Sequence, residues 1–364
     1  MKIPISAPCL GDEELEAVVA AVKSGWVSSQ GAFIKDFEQG FADYCGVKYG
    51  VATCNGTVAL HLALAALGIG PGDEVLVPAL TFVATANAVT YTGAKPVFVD
   101  SQPDYWGIDP DSLEVAITPR SKAVIPVHLY GHPCDMDAIM EIAHRHGLYV
   151  IEDAAEAHGA IYKGRKVGSL GQISCFSFYG NKIITTGEGG MCMTNDTRLI
   201  ERMRILRDHG MNPQRRYWHD IVGFNYRMTN LQGALGVAQL KRLASLVAKK
   251  RTIAEHYLTA LDPLIKDRRL SLQASADWAA SVYWLFPIVA RTEADKSRIV
   301  SALSQAAIET RPLFVPIHTL PPYRTTRAYP VAERLAARGL CLPSHPNLTR
   351  EDIRLIADVI TSAL

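Results

Sequence analysis

Between Ser174 and Gly190 the chain reads SCFSFYGNKIITTGEGG, and Lys182 is the residue in this stretch that can do chemistry. An apolar run ends in Ser177-Phe178-Tyr179, Gly180 and Asn181 turn the chain, and Thr185, Thr186 and a cluster of glycines follow the lysine. A lysine set between a strand and a Gly-rich turn is placed to act as a nucleophile. It can form a Schiff base with a carbonyl, a chemistry that is strongest when a bound aldehyde cofactor serves as electron sink. A loop lysine taken alone is ordinarily a solvated side chain. The neighbouring motifs change that reading.

Asp153 closes the apolar run LYVIED, where a carboxylate can meet a ring nitrogen and keep it protonated, or can simply cap a helix. Glu156, three residues on, either touches a hydroxyl of the same ring or is solvated. Asn55-Gly56-Thr57 opens VALHLALAALGIG, read as an amphipathic helix whose first turn offers N–H groups to an anion, with Gly56 allowing close backbone approach. Phe82 can lie flat on an aromatic ring or sit in the core, and Ser177 can lend its hydroxyl to the anion or be an ordinary strand serine. Together they supply a phosphate cradle, a stacking ring, a strand-end acid and a lysine, in the order that a pyridoxal-phosphate site in a large α/β fold requires. The set is far more specific than any member.

The elements that must position these residues are legible as a repeat. Apolar runs at 74–78, 96–99, 122–128, 148–152 and 173–178 alternate with helix-like or turn-rich segments, which implies βαβ units and a mostly parallel sheet. Ligands of such sheets bind at the carboxyl ends of the strands, where the candidate residues fall. Helices are expected over 12–24 and 33–44, and a basic helix-like stretch over 198–207 leads into the irregular loop HGMNPQRRYWHDIVGFNYRMTN. A long helix over 229–259 then bridges to a strand at 282–290 and helices at 294–307, 330–338 and from 351. The expected organisation is a large α/β domain over 1–250, its sheet flanked by helices, and a smaller C-terminal α+β domain over 251–364.

Composition narrows the function classes. The 364 residues carry 37 Lys and Arg against 36 Asp and Glu, a formal net charge of +1, with no basic stripe, so nucleic acid is not the expected partner. The seven cysteines are scattered without a CxxC pair, which points to reduced thiols rather than a metal site. MKIPISAPCLGDEELEAV turns acidic where a signal peptide needs an apolar run, and no stretch approaches the ~18 apolar residues of a membrane span. A cytoplasmic protein without a membrane partner is expected.

The motifs GWVSSQG, CNGTVALHLAL, PGDEVLVPALTFVATANAV, VIEDAAEAHGA, FSFYGNKIITTGEGGM, GFNYRMTNLQGALG and LCLPSHP resemble the DegT/DnrJ/EryC1/StrS sugar-nucleotide aminotransferases, from about residue 4 to the C-terminus. The resemblance implies a fold-type I pyridoxal-phosphate-dependent transferase, aspartate aminotransferase-like. In it Lys182 is the Schiff-base lysine, Asp153 the pyridinium partner and Phe82 the stacking ring, with Gly56, Thr57 and Ser177 as phosphate ligands and Glu156 near the cofactor hydroxyl. Asn225 matches an asparagine that reaches the cofactor phosphate across a dimer interface, which implies a homodimer with shared active sites. Arg215, Arg216, His219, Arg311 and His318 are candidates for the diphosphate of a nucleotide-linked keto-sugar. NKIITTGEGGM, HLYGHPCDMD and ETRPLFVPIHTLPPY resemble most the members that use L-glutamate to aminate C4 of GDP-4-keto-6-deoxymannose. The alternatives are a dTDP-4-keto-6-deoxyglucose aminotransferase, a keto-sugar dehydratase, whose relatives carry histidine where Lys182 stands, and a regulator without turnover. Asn55 replaces the family's usual serine, and Glu156 a frequent glutamine.

Overall fold

The computed structural model describes residues 3–364. Its helices are α1 (Asp12–Lys23), α2 (Ala32–Cys45), α3 (Gly56–Ala66), α4 (Ala84–Tyr91), α5 (Pro110–Ala116), α6 (Met136–His146), α7 (Thr197–Arg207), α8 (Asn230–Lys266), α9 (Glu293–Gln305), α10 (Pro330–Arg338) and α11 (Arg350–Ala363). A seven-stranded sheet takes the order β1 (Tyr49–Thr53), β9 (Gly190–Thr194), β8 (Ile173–Ser177), β5 (Tyr149–Asp153), β4 (Ser121–Val124), β2 (Glu74–Pro78) and β3 (Lys95–Val99). All neighbours from β8 to β3 are parallel; β9 alone runs against the rest, antiparallel to both β8 and β1. A short hairpin of β6 (Ile161–Tyr162) and β7 (Arg165–Lys166) is extended by β11 (Ala279–Ala280), which pairs with β6. The C-terminal sheet runs β10 (Leu270–Leu272), β12 (Phe286–Ala290), β14 (Gly339–Leu342), β13 (Arg311–Pro312).

Strands β2, β8 and β9 are buried along their whole length, as strands covered by helices on both faces must be. One apolar cluster fills the large sheet and its helices. A second gathers Ile253, Tyr257 and Leu261 of α8 with Phe286, Ile299, Leu342 and Ile356, and it includes Ile3 from the N-terminal segment. Helix α8 therefore carries residues of both cores. Its start is held by a capping box in which Thr229 and Gln232 satisfy each other's backbone N–H groups.

Several boundaries differ from expectation for identifiable reasons. The run 122–128 is interrupted after Val124, because Pro126 has no N–H to donate; its carbonyl accepts from Asp153, and Val127 bridges back to that strand end. The strand expected from 282 begins at Phe286, and α8 continues to Lys266 rather than 259. Helix α3 is not amphipathic: seven of its eleven residues are buried, since it packs against β1, β8 and β9 as well as α4 and α7.

Candidate active site

Four segments meet beyond the carboxyl ends of the co-directional strands: Gly56 after β1, Phe82 after β2, Asp153 at the end of β5 and Lys182 after β8. The lysine's turn is rigidly made. Phe178 N–H donates to the Gly189 carbonyl at 2.8 Å, the Thr185 hydroxyl donates to the Phe178 carbonyl at 2.9 Å, and Gly187 N–H donates to that hydroxyl at 2.9 Å. The Thr-Thr-Gly sequence is thus a scaffold for Lys182. A side chain at Gly190 would sit 2.3 Å from the Asn55 carbonyl, so only glycine lets β9 start against the mouth of α3.

Lys182 is largely enclosed, its side chain 11% exposed, with Nζ 3.8 Å from Glu156 Oε1 and 3.9 Å from the centre of the Trp284 ring. Burial pulls its ammonium below the usual lysine range, opposed by the charges of Glu156 and Asp153 and reinforced by Arg311. Burial also pushes the Glu156 carboxyl up, to about 7. Glu156 is not solvated: its other oxygen accepts the Tyr130 N–H at 2.7 Å. Tyr130 presents that N–H from a left-handed backbone, φ 56°, held by a ring buried between Trp284 and Phe314.

Asp153 is buried, and burial raises its carboxyl. No helix follows it. Its Oδ2 accepts the Thr85 hydroxyl at 2.8 Å and its Oδ1 the Ala155 N–H at 3.2 Å, which orients the carboxylate at the strand end. Phe82 is 56% exposed, so the core reading fails for it; its ring lies 5.8 Å from that of Phe314 at the mouth of the site. At the opposite side Asn55 caps α3 by accepting the Val58 N–H at 3.0 Å, leaving the N–H groups of Gly56 and Thr57 without that partner. A side chain at Gly56 would lie 2.7 Å from Ser177 Cβ, so the glycine brings helix start and strand end together as a cradle.

The remaining candidates are spread out. Asn225 is exposed and accepts from the Arg227 guanidinium at 3.0 and 3.1 Å, making no side-chain bond to Gly56, Thr57 or Ser177. Arg215 lies over Trp218, Arg216 over Tyr217, and His219 bonds the His209 carbonyl at 2.9 Å, all on an exposed loop. Arg311 is partly exposed on the site side. His318 is 3% exposed, its ring tilted 48° against Tyr329 at 4.5 Å, with its Nε2 3.1 Å from Glu333. Thr85, Tyr130, Trp284 and Phe314 belong to the site although the motifs did not single them out. A cavity of about 970 Å³ bordered by Trp26, Gly31, Glu38 and Arg207 contains none of these residues.

Residues 8–361 match the DegT/DnrJ/EryC1/StrS aminotransferase family. The chain belongs to that family. It is 50% identical over 361 residues to GDP-perosamine synthase of Caulobacter vibrioides, covering 98% of this chain and 97% of the relative. It is 46% identical over 359 residues to GDP-perosamine synthase of Escherichia coli O157:H7, with 98% and 97% covered. Spr1654 from Streptococcus pneumoniae, solved in its PLP form, superposes with a TM-score of 0.93 at 29% identity, covering 100% of this chain and 99% of that one. The fold is fold-type I, a mixed α/β architecture whose mostly parallel central sheet is flanked by helices. Among the described residues no helix is long and apolar enough to cross a membrane.

Proposed function

We propose that this protein is a pyridoxal-phosphate-dependent aminotransferase that moves the amino group of L-glutamate to C4 of GDP-4-keto-6-deoxy-D-mannose, giving 2-oxoglutarate and GDP-perosamine. One observation carries the reading: a largely enclosed lysine faces the buried carboxylate of Glu156 at 3.8 Å, with a second buried carboxylate, Asp153, at the strand end beside it. The identity to two GDP-perosamine synthases supports the substrate.

The residues present fit the cofactor. The Gly56–Ser177 cradle, with the first N–H groups of α3, would hold its phosphate; Phe82 would cover one ring face; Asp153 would pair with the ring nitrogen and Glu156 would lie near the ring hydroxyl. When bound, pyridoxal phosphate supplies an electron sink for the carbon that bears the transferred nitrogen. Lys182 supplies the base. Its Nζ, depressed by burial, would move the proton of the glutamate α-carbon to the cofactor carbon that takes up the nitrogen, and in the second half-reaction would run the shift in reverse, moving a proton from that carbon to C4 of the sugar. One lysine serves both halves because donor and acceptor occupy the site in turn.

Arg215, Arg216 and His219, with Arg311, would bind the diphosphate, and Asn225 would complete the phosphate cradle of a second copy. Asn225's exposure supports that assignment to a homodimer. The free state of all seven cysteines suits a cytoplasmic setting. Purified protein given L-glutamate and either GDP-4-keto-6-deoxymannose or dTDP-4-keto-6-deoxyglucose should aminate the GDP sugar with the higher kcat/KM, read by mass spectrometry of the product. A preference for the dTDP sugar would overturn the nucleotide assignment, and amination of neither would overturn the transaminase reading.

A further inference from the structure

Trp284 converges on Lys182 from more directions than a core tryptophan needs. It lies in the stretch just before β12, 4% exposed, with its ring face 3.9 Å from Lys182 Nζ. Its indole N–H donates to the carbonyl of Asn181, the residue before the lysine, at 2.7 Å. Its main-chain N–H donates to the Tyr130 carbonyl at 2.9 Å, and the two rings stack with planes 9° apart, so Trp284 also braces the peptide that holds Glu156. The carbonyl of Trp284 accepts from buried Lys250 Nζ at 2.6 Å, and from the Ser344 hydroxyl at 3.2 Å. Lys250 sits on α8, so the indole is anchored to the helix shared by both cores.

We propose that Trp284 is a positioning residue: its indole face and the Glu156 carboxylate form the resting place of the Lys182 amine whenever that amine is not joined to the cofactor. This rests on the reading of Lys182 as the reacting lysine. The negative face of an indole attracts an ammonium and not a neutral amine, so the resting place holds the lysine protonated between half-reactions. Burial works against the ammonium, and the ring and Glu156 offset it. The charged and titratable groups that reach Lys182 are Glu156, Asp153, Arg311 and His158, and none of them is altered in kind when only the indole is changed.

The test follows acetylation of Lys182 by acetic anhydride across pH in cofactor-free full-length protein, quantified by peptide mass spectrometry, with exposed Lys163 as internal reference. Wild type, Trp284→Phe and Trp284→Leu are compared. Loss of the aromatic face in Trp284→Leu should move the labelling midpoint down by about half a pH unit to one unit, raising labelling near neutrality roughly three- to tenfold. Trp284→Phe should stay close to wild type. Protein in which the five tryptophans are replaced by 5-fluorotryptophan keeps the fold's shape while weakening the ring's negative face, and should shift in the same direction by a few tenths of a unit. An unchanged profile in the fluorinated protein, or Trp284→Phe moving as far as Trp284→Leu, overturns the proposal. Because labelling needs neither cofactor nor sugar, those results leave the aminotransferase reading standing, and failure of amination in the wild type leaves the labelling result standing.

Discussion

The Lys182 pocket and the loop from His209 to Gly223 are both rich in polar and aromatic groups, yet they are built in opposite ways. In the pocket every group is held by another: Asp153 by Thr85, Glu156 by Tyr130, and Tyr130 between Trp284 and Phe314. In the loop, Arg215 and Arg216 lie on their own neighbours, and Val222 is 90% exposed. Proton transfer needs groups fixed within a fraction of an ångström, so the chain supplies that geometry by itself. The loop is tied by its own bonds, Asn212 and Trp218 to Asp220 among them, but the guanidinium groups of Arg215 and Arg216 rest only on the neighbouring rings. On the proposed reading, chemistry and substrate choice would fall to these two separate regions.

The largest effect that would break this division is at the base. Lys182→Ala should lower product formation at least about a thousandfold, because no other amine stands at that site; transfer near the wild-type rate would remove the pocket from the chemistry. Next, Asp153→Asn keeps the Thr85 contact geometry but removes the charge. It should cost about a hundredfold in kcat with little change in the KM of the sugar. An effect confined to KM would make Asp153 a binding group like those of the loop.

Acid stability offers a third probe, confined to the buried side. His158 sits among Phe41, Phe176 and Phe178 with neither ring nitrogen hydrogen-bonded among the described residues, and burial pushes its pKa down to about 3. The unfolded chain binds this proton from about pH 6.5 downward and the folded chain does not. Stability should thus fall as pH drops through that window, by ~2 kcal/mol at pH 5 from this group. Urea unfolding of His158→Leu should show a flatter loss between pH 6.5 and 5 than wild type; parallel curves would contradict the assignment. His132, pushed by burial to about 4, adds to the same trend in both proteins. The smallest effect belongs to the loop. Arg215→Ala or Arg216→Ala should raise the KM for the nucleotide sugar about tenfold, leaving kcat and the reaction with glutamate unchanged, in steady-state assays. A fall in kcat instead would show the two regions to be coupled.

The pocket was far more legible in the sequence than the loop, and the reason is local. Lys182 and Asp153 follow or end strands whose apolar runs can be read by eye, and parallel strands bring their carboxyl ends to one edge; β1 before Gly56, only five residues long, was not among the expected runs. Phe82 was readable only as a choice between core and ligand, and its exposure excludes the core. Tyr130 and Trp284 carry no such signal: an aromatic in an apolar stretch looks like core, and their placement depends on contacts between segments more than 150 residues apart. The reversed strand β9 was hidden because GMCMT follows the Gly-rich turn too closely to suggest a crossover. His318 shows the converse limit: a basic residue in an irregular segment, which the fold turns inward toward Glu333 with nothing in the local sequence to signal it.

The central claim, that one largely enclosed lysine serves both halves of a transfer from glutamate to a GDP-linked keto-sugar, is tested most directly on a single sample. Protein loaded with pyridoxal phosphate is given L-glutamate while its visible absorbance is followed, and GDP-4-keto-6-deoxymannose is then added. The account predicts loss of the cofactor's visible band with glutamate and its return with the sugar. A band that glutamate leaves untouched, or that the GDP sugar fails to restore, would contradict it.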